Sequence, residues 1–129
     1  MRVRLVYLFL PWVAFLFLSG MNSAQALSPA EATAYEHNRA GMINMSMARF
    51  EEAIVEFEKA LALYPDYHIQ GQPLVYTPIF MTAWAYEKIG RIDKACEYYR
   101  KFLEISPPDA VEATKAQHAR DVLDGCAGN

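Results

Sequence analysis

The histidines of this chain do not converge: His37, His68 and His118 fall in three separate predicted elements, and no pair has the i, i+4 or short-loop spacing of metal ligands. Cys96 and Cys126 stand 30 positions apart and form no C-x-x-C motif. There is no glycine-rich phosphate loop, no G-x-S-x-G elbow, and no serine with an evident base. Glu51, Glu52, Glu56 and Glu58 share one predicted helix with Arg49 and Lys59, which reads as a solvated face of mixed charge. His37 reads as a core or semi-buried residue. The expectation is a non-catalytic protein with no cofactor and no metal.

Those residues sit on a chain with helical periodicity and regular punctuation. Ser28-Pro29-Ala30-Glu31 is a capping box with proline at the first helical position, and it predicts a helix from Pro29 to about Met47. A second runs from Arg49 or Phe50 to Leu63, stopped by Pro65. Residues 66–76, with Gly71 and Pro73, read as a loop. Thr77-Pro78 repeats the cap-plus-proline opening for a third helix to Ile89, and Gly90 turns the chain into a fourth over Ile92 to Ile105. Pro107-Pro108 ends that helix, and a fifth is expected over residues 109–124, before Gly125. No segment alternates with period two, so the fold class is all-α.

The first 26 residues read as a secretory signal. Arg2 and Arg4 give the positive start, Leu5 to Leu18 the apolar run, and Ala24-Gln25-Ala26 the small-x-small site, so cleavage is expected after Ala26. The alternative is a retained anchor, but a 14-residue run containing Pro11 spans only about 21 Å as a helix. Met21 stands where a lipobox needs cysteine, which excludes thioether lipidation there. The expected location is periplasmic or otherwise extracytoplasmic. Cleavage leaves residues 27–129 as one domain and takes the formal charge from −3 to −5. A mildly acidic chain without a basic block excludes phosphate-backbone partners, and 53% hydrophobic residues exclude disorder.

Helices one and two return as helices three and four at an offset of 42. Phe50 meets Ile92, Ala53 meets Ala95, Phe57 meets Tyr99, Leu61 meets Leu103, Pro65 meets Pro107, and Gly41 meets Ala83. Such a repeat marks a stacked-hairpin array.

On these residues the chain resembles the tetratricopeptide repeat family, whose unit of about 34 residues has a W-x2-L-G-x2-Y first helix, then A-x3-F and a closing proline. Ala53-x3-Phe57, Ala60-Leu61 and Pro65 match the second half of one unit, and Ala95-x3-Tyr99, Leu103 and Pro107 that of the next. In the first halves, His37, Ala40, Gly41 and Asn44, then Ile79, Thr82, Ala83 and Tyr86, stand at the W, L, G and Y positions, with Gly41 and Tyr86 as literal matches. The resemblance implies two hairpins, residues 29–65 and 77–107, and a C-terminal capping helix. It also implies a groove lined by the first helix of each repeat that holds a peptide or a partner's helix. The groove positions fall on Tyr35, Asn38, Met42 and Met45, then on Thr77, Phe80, Trp84 and Glu87. The expected function is thus a protein–protein interaction scaffold of the cell envelope, with Phe80 and Trp84 as anchors. Glu36, Glu87 and the negative charge favour an apolar or basic partner over an acidic tail. The alternatives are a structural subunit or homodimer and, third, a redox or hydrolase accessory protein.

An array of two and a half units is short of the roughly three that such stacks need. A disulfide is one remedy. Counting both helices from a turn near Pro107 puts Cys96 and Cys126 about 12 Å out of register, beyond bonding reach unless the tail folds back at Gly125, so the pairing stays open on sequence grounds.

Overall fold

The computed structural model describes residues 26–65, 77–105 and 113–127. The predicted signal up to residue 25, the 66–76 loop with His68, and residues 106–112 with Pro107-Pro108 and the expected start of the fifth helix lie outside the described residues. Among the described residues there are five helices: α1 Pro29–Ser46, α2 Phe50–Leu63, α3 Pro78–Lys88, α4 Ile92–Ile105 and α5 Ala113–Cys126. No strand occurs among the described residues. Each helix packs on the next in sequence, and α1 also touches α3.

Local chemistry sets the boundaries. The capping box at the start of α1 is complete: Ser28 N donates to Glu31 Oε2 at 2.7 Å and Glu31 N donates to Ser28 Oγ at 3.2 Å. The Ser28 contacts hold the Glu31 carboxyl below its usual pKa. The two hairpin turns close by the same device. Arg49 N donates to Asn44 O and Ala48 N to Met45 O; 42 positions on, Arg91 N donates to Tyr86 O and Gly90 N to Glu87 O. Each turn needs a left-handed residue, supplied by Ala48 at φ 56° and Gly90 at φ 77°.

The core is the product of the two second helices and α3. Ala53, Phe57, Ala95, Tyr99 and Phe102 are buried, and α3 is buried continuously from Pro78 to Ala83 because it lies between the two hairpins. Gly41 is fixed by packing, since a Cβ there would collide with the Phe57 ring. Ala83, its repeat counterpart, is also fully buried.

The fifth helix corrects two expectations. It runs through Gly125 to Cys126 rather than stopping at 124. Cys96 and Cys126 then meet as a disulfide pair with Cα atoms 6.5 Å apart. Counted from the described helix ends, Cys96 is nine residues from Ile105 and Cys126 thirteen from Ala113. That is a mismatch of only about 6 Å, which side-chain reach covers without any return of the tail.

Candidate functional site

The outward and inward faces of α1 are separated cleanly by its period. Ala34, Asn38 and Gly41 are buried, and Met45 shares their side. Tyr35, 37% exposed, and Met42 lie on one flank, while His37 lies on the other, toward α2. Met42 and Met45 are half-buried against the main core. Asn38 is only 6% exposed and its Oδ1 has no hydrogen-bond partner, so a buried acceptor is left unmet on the inner side of α1.

The corresponding residues of α3 differ from their expected exposure. Phe80 is 2% exposed, with Phe102 and Tyr99 set edge-on at 4.9 and 5.6 Å between ring centroids. It is a core residue, and the expectation of an exposed anchor is corrected: α4 supplies the rings that close over it. Thr77, also buried, is the N-cap residue of α3. Trp84 remains half-exposed. Its indole is flanked by the ammonium groups of Lys115, 5.1 Å from the ring centroid, and Lys88, at 5.6 Å. Lys115, exposed on α5, thus reaches its ammonium across to the Trp84 and Phe80 rings.

Glu87 is engaged rather than projecting. Tyr99 Oη donates to its Oε2 at 2.6 Å, and His118 Nε2 of α5 lies 2.9 Å from the same oxygen. Burial pushes the Glu87 carboxyl up, but the Tyr99 and His118 contacts outweigh it and hold the pKa below its ordinary value. Burial, then the Glu87 carboxylate, push the Tyr99 phenol up.

A second carboxylate joins the two repeats. Glu58 Oε1 accepts from Tyr86 at 2.8 Å and Tyr98 at 3.1 Å, and the two rings stack 5.8 Å apart. Burial and Glu58 raise the Tyr86 phenol to about 12 and push Tyr98 up as well. Glu56 bonds Lys59 and His37, each at 2.6 Å, and both contacts lower its pKa. The row of glutamates on α2 is thus not one solvated face: Glu51 and Glu52 are exposed, whereas Glu56 and Glu58 tie α2 to α1, α3 and α4. His37 is half-buried, as its sequence position implied.

Among the described residues no three His, Cys, Asp or Glu side chains gather to hold a metal ion. No described helix is long and apolar enough to cross a membrane. A shallow cleft lined by Ala113, Thr114, Gln117, His118 and Asp121 runs along α5 and is open to solvent. Lys88 and Lys115 are the surface residues that sequence reasoning missed. One signal pointed to Lys115: it follows Phe80 by 35 positions, near the family's repeat of about 34, so α5 continues the array as another first helix.

Two repeated antiparallel hairpins closed by a fifth helix define a short all-α solenoid. Models of the tetratricopeptide repeat match residues 34–67 and 79–109, and the chain belongs to that family. Its repeats make it a protein–protein interaction scaffold in general, and proteins of this kind are typically non-catalytic. Neither the curated proteins nor the solved structures contain a match to the chain.

Proposed function

We propose that this chain is a non-catalytic scaffold of the cell envelope that holds an apolar peptide or helix of a partner protein against Tyr35, Met42, Met45 and Trp84. Half-exposed Trp84, packed on the same core as the half-buried Met42 and Met45 of the neighbouring α1, is the observation that carries the reading. A large ring that packs on the core and stays half-exposed, with only the solvated side chains of Lys88 and Lys115 beside it, suits a binding anchor, and thioethers adapt to differing shapes. The buried acceptor of Asn38 supports an N–H donor in the ligand, since an unmet buried acceptor costs about 1–3 kcal/mol.

The partner is apolar rather than basic. The carboxylate of Glu87 is taken up by Tyr99 and His118, Glu36 points to the outer face of α1 with Arg39, and two lysines flank Trp84. Residues 1–26 are the export signal of this reading, and the domain acts outside the cytoplasm after cleavage at Ala26.

A photoreactive side chain placed at position 42 or 84 tests the proposal in envelope preparations, with position 55 on the outer face of α2 as control. One common adduct from 42 and 84 and none from 55 is expected, and Trp84→Ala should weaken capture about tenfold with helical circular dichroism unchanged. Adducts independent of position, or capture indifferent to Trp84→Ala, would remove the reading.

A further inference from the structure

The two ends of the array are finished differently. At one end, α5 shows solvent Thr114, Gln117, Arg120, Asp121 and Asp124, the polar face that a terminal helix of such a stack requires. At the other, no helix caps α1 among the described residues, and its outer stripe is Ala32, Glu36, Arg39, Ile43 and Met47. Ile43 is 49% exposed and Met47 47%, and Leu27, just before the helix, is 61% exposed. Asn38, Gly41 and Met45 lie on the opposite side of α1, so of the residues proposed above for the partner only Tyr35 borders this stripe.

The order of residues in the stripe is self-complementary. When two copies of α1 are laid antiparallel about a two-fold axis between positions 37 and 38, Glu36 of each chain falls opposite Arg39 of the other. Ala32 falls opposite Ile43, and Met47 opposite Leu27 and Ser28. Both charge pairs are then attractive, the small Ala32 leaves room for Ile43, and the exposed apolar ends meet each other. Within one chain Glu36 and Arg39 are held only loosely, at 3.8 Å and about 70% exposed, so both are free to exchange partners. An isologous contact has this property: residue i meets j and j meets i.

We propose that the outer face of α1 is a homodimer interface, with a second copy of this chain docked antiparallel in that register. α1 is 18 residues long, about 27 Å, and one helix pair buries less than the roughly 800 Å² per partner of a standard interface. The dimer is accordingly weak and reversible, and concentration sets its population.

Sedimentation of the chain, expressed from its full sequence and purified as the host processes it, tests the proposal between low micromolar and millimolar concentration. A monomer–dimer equilibrium is expected. Glu36→Arg or Arg39→Glu alone should weaken it about tenfold, because each turns two attractive pairs into two repulsive ones. The double exchange Glu36→Arg/Arg39→Glu should restore the wild-type constant to within about threefold. A mixture of the two single variants should form a heterodimer tighter than either variant with itself, since every facing pair is then opposite in sign. Circular dichroism of each variant confirms that the helices persist. A monomer throughout the range, or single variants that associate like wild type, overturns the proposal, and so does a double exchange no tighter than the singles. Partner capture through Trp84 is unaffected by these changes, so failure here leaves the groove reading standing.

Discussion

Ala48 adopts the left-handed conformation that its repeat counterpart Gly90 takes at no steric cost. An L-residue with a Cβ pays about 1–2 kcal/mol there, and glycine regains part of that as unfolded-state entropy. The same backbone hydrogen bonds close both turns, so the positions are interchangeable in geometry. Ala48→Gly should therefore stabilise the protein by about 0.5–1 kcal/mol, and Gly90→Ala should destabilise it by a similar amount. At Gly90 a Cβ would meet nothing within 4 Å, which isolates the backbone effect from packing. Urea melts of the two variants check this through opposite shifts of midpoint at unchanged slope. Equal signs would show that the turns are not equivalent.

At the scale of elements, α5 is the least anchored helix. Its buried side chains are alanines, Ala116 and Ala119, with Val122 and Leu123 only partly covered. Alanine permits close approach but removes little apolar surface from water. The contacts of Glu87 with His118 and of Trp84 with Lys115 are also partly exposed. The Cys96–Cys126 pair pins the far end of the helix to α4, closing a loop of 30 residues. A bond closing such a loop contributes about 3 kcal/mol. Reduction, or Cys96→Ser with Cys126→Ser, should lower stability by about that amount and loosen α5 first. Trypsin is a direct probe, because Lys115 and Arg120 lie on α5. Cleavage there should accelerate in reductant well before sites in α2 or α4 are cut. Identical digestion with and without reductant, with free thiols already present in the untreated protein, would count against the bond.

For the molecule as a whole, the division between what was legible and what was not follows sequence distance. The hairpins could be read because Ala53 with Phe57 and Ala95 with Tyr99 carry local periodicity, and the offset of 42 repeats it. Phe80 was misplaced because its burial depends on Tyr99 and Phe102, rings 19 and 22 positions away whose approach no local pattern encodes. Lys115, the disulfide register and the double duty of Glu58 escaped for the same reason. These contacts also dictate how the molecule opens. Packing runs from neighbour to neighbour along the chain, so stability is roughly a sum of successive interfaces, and ends open before the middle. α3 is that middle: it packs on α1, α2 and α4, is buried continuously from Pro78 to Ala83, and is tied to α2 through Tyr86 and Glu58 and to α4 through Glu87 and Tyr99. Amide hydrogen exchange should find its hydrogen-bonded amides, from Met81 to Lys88, the slowest in the protein, with opening free energies near the global value. Amides of α5 should be faster by a factor of about 100 or more, equivalent to at least 2.7 kcal/mol, once the cysteines are reduced. Uniform protection across all five helices would instead mean that the array opens as one cooperative unit and that the end helix is as firmly held as the centre.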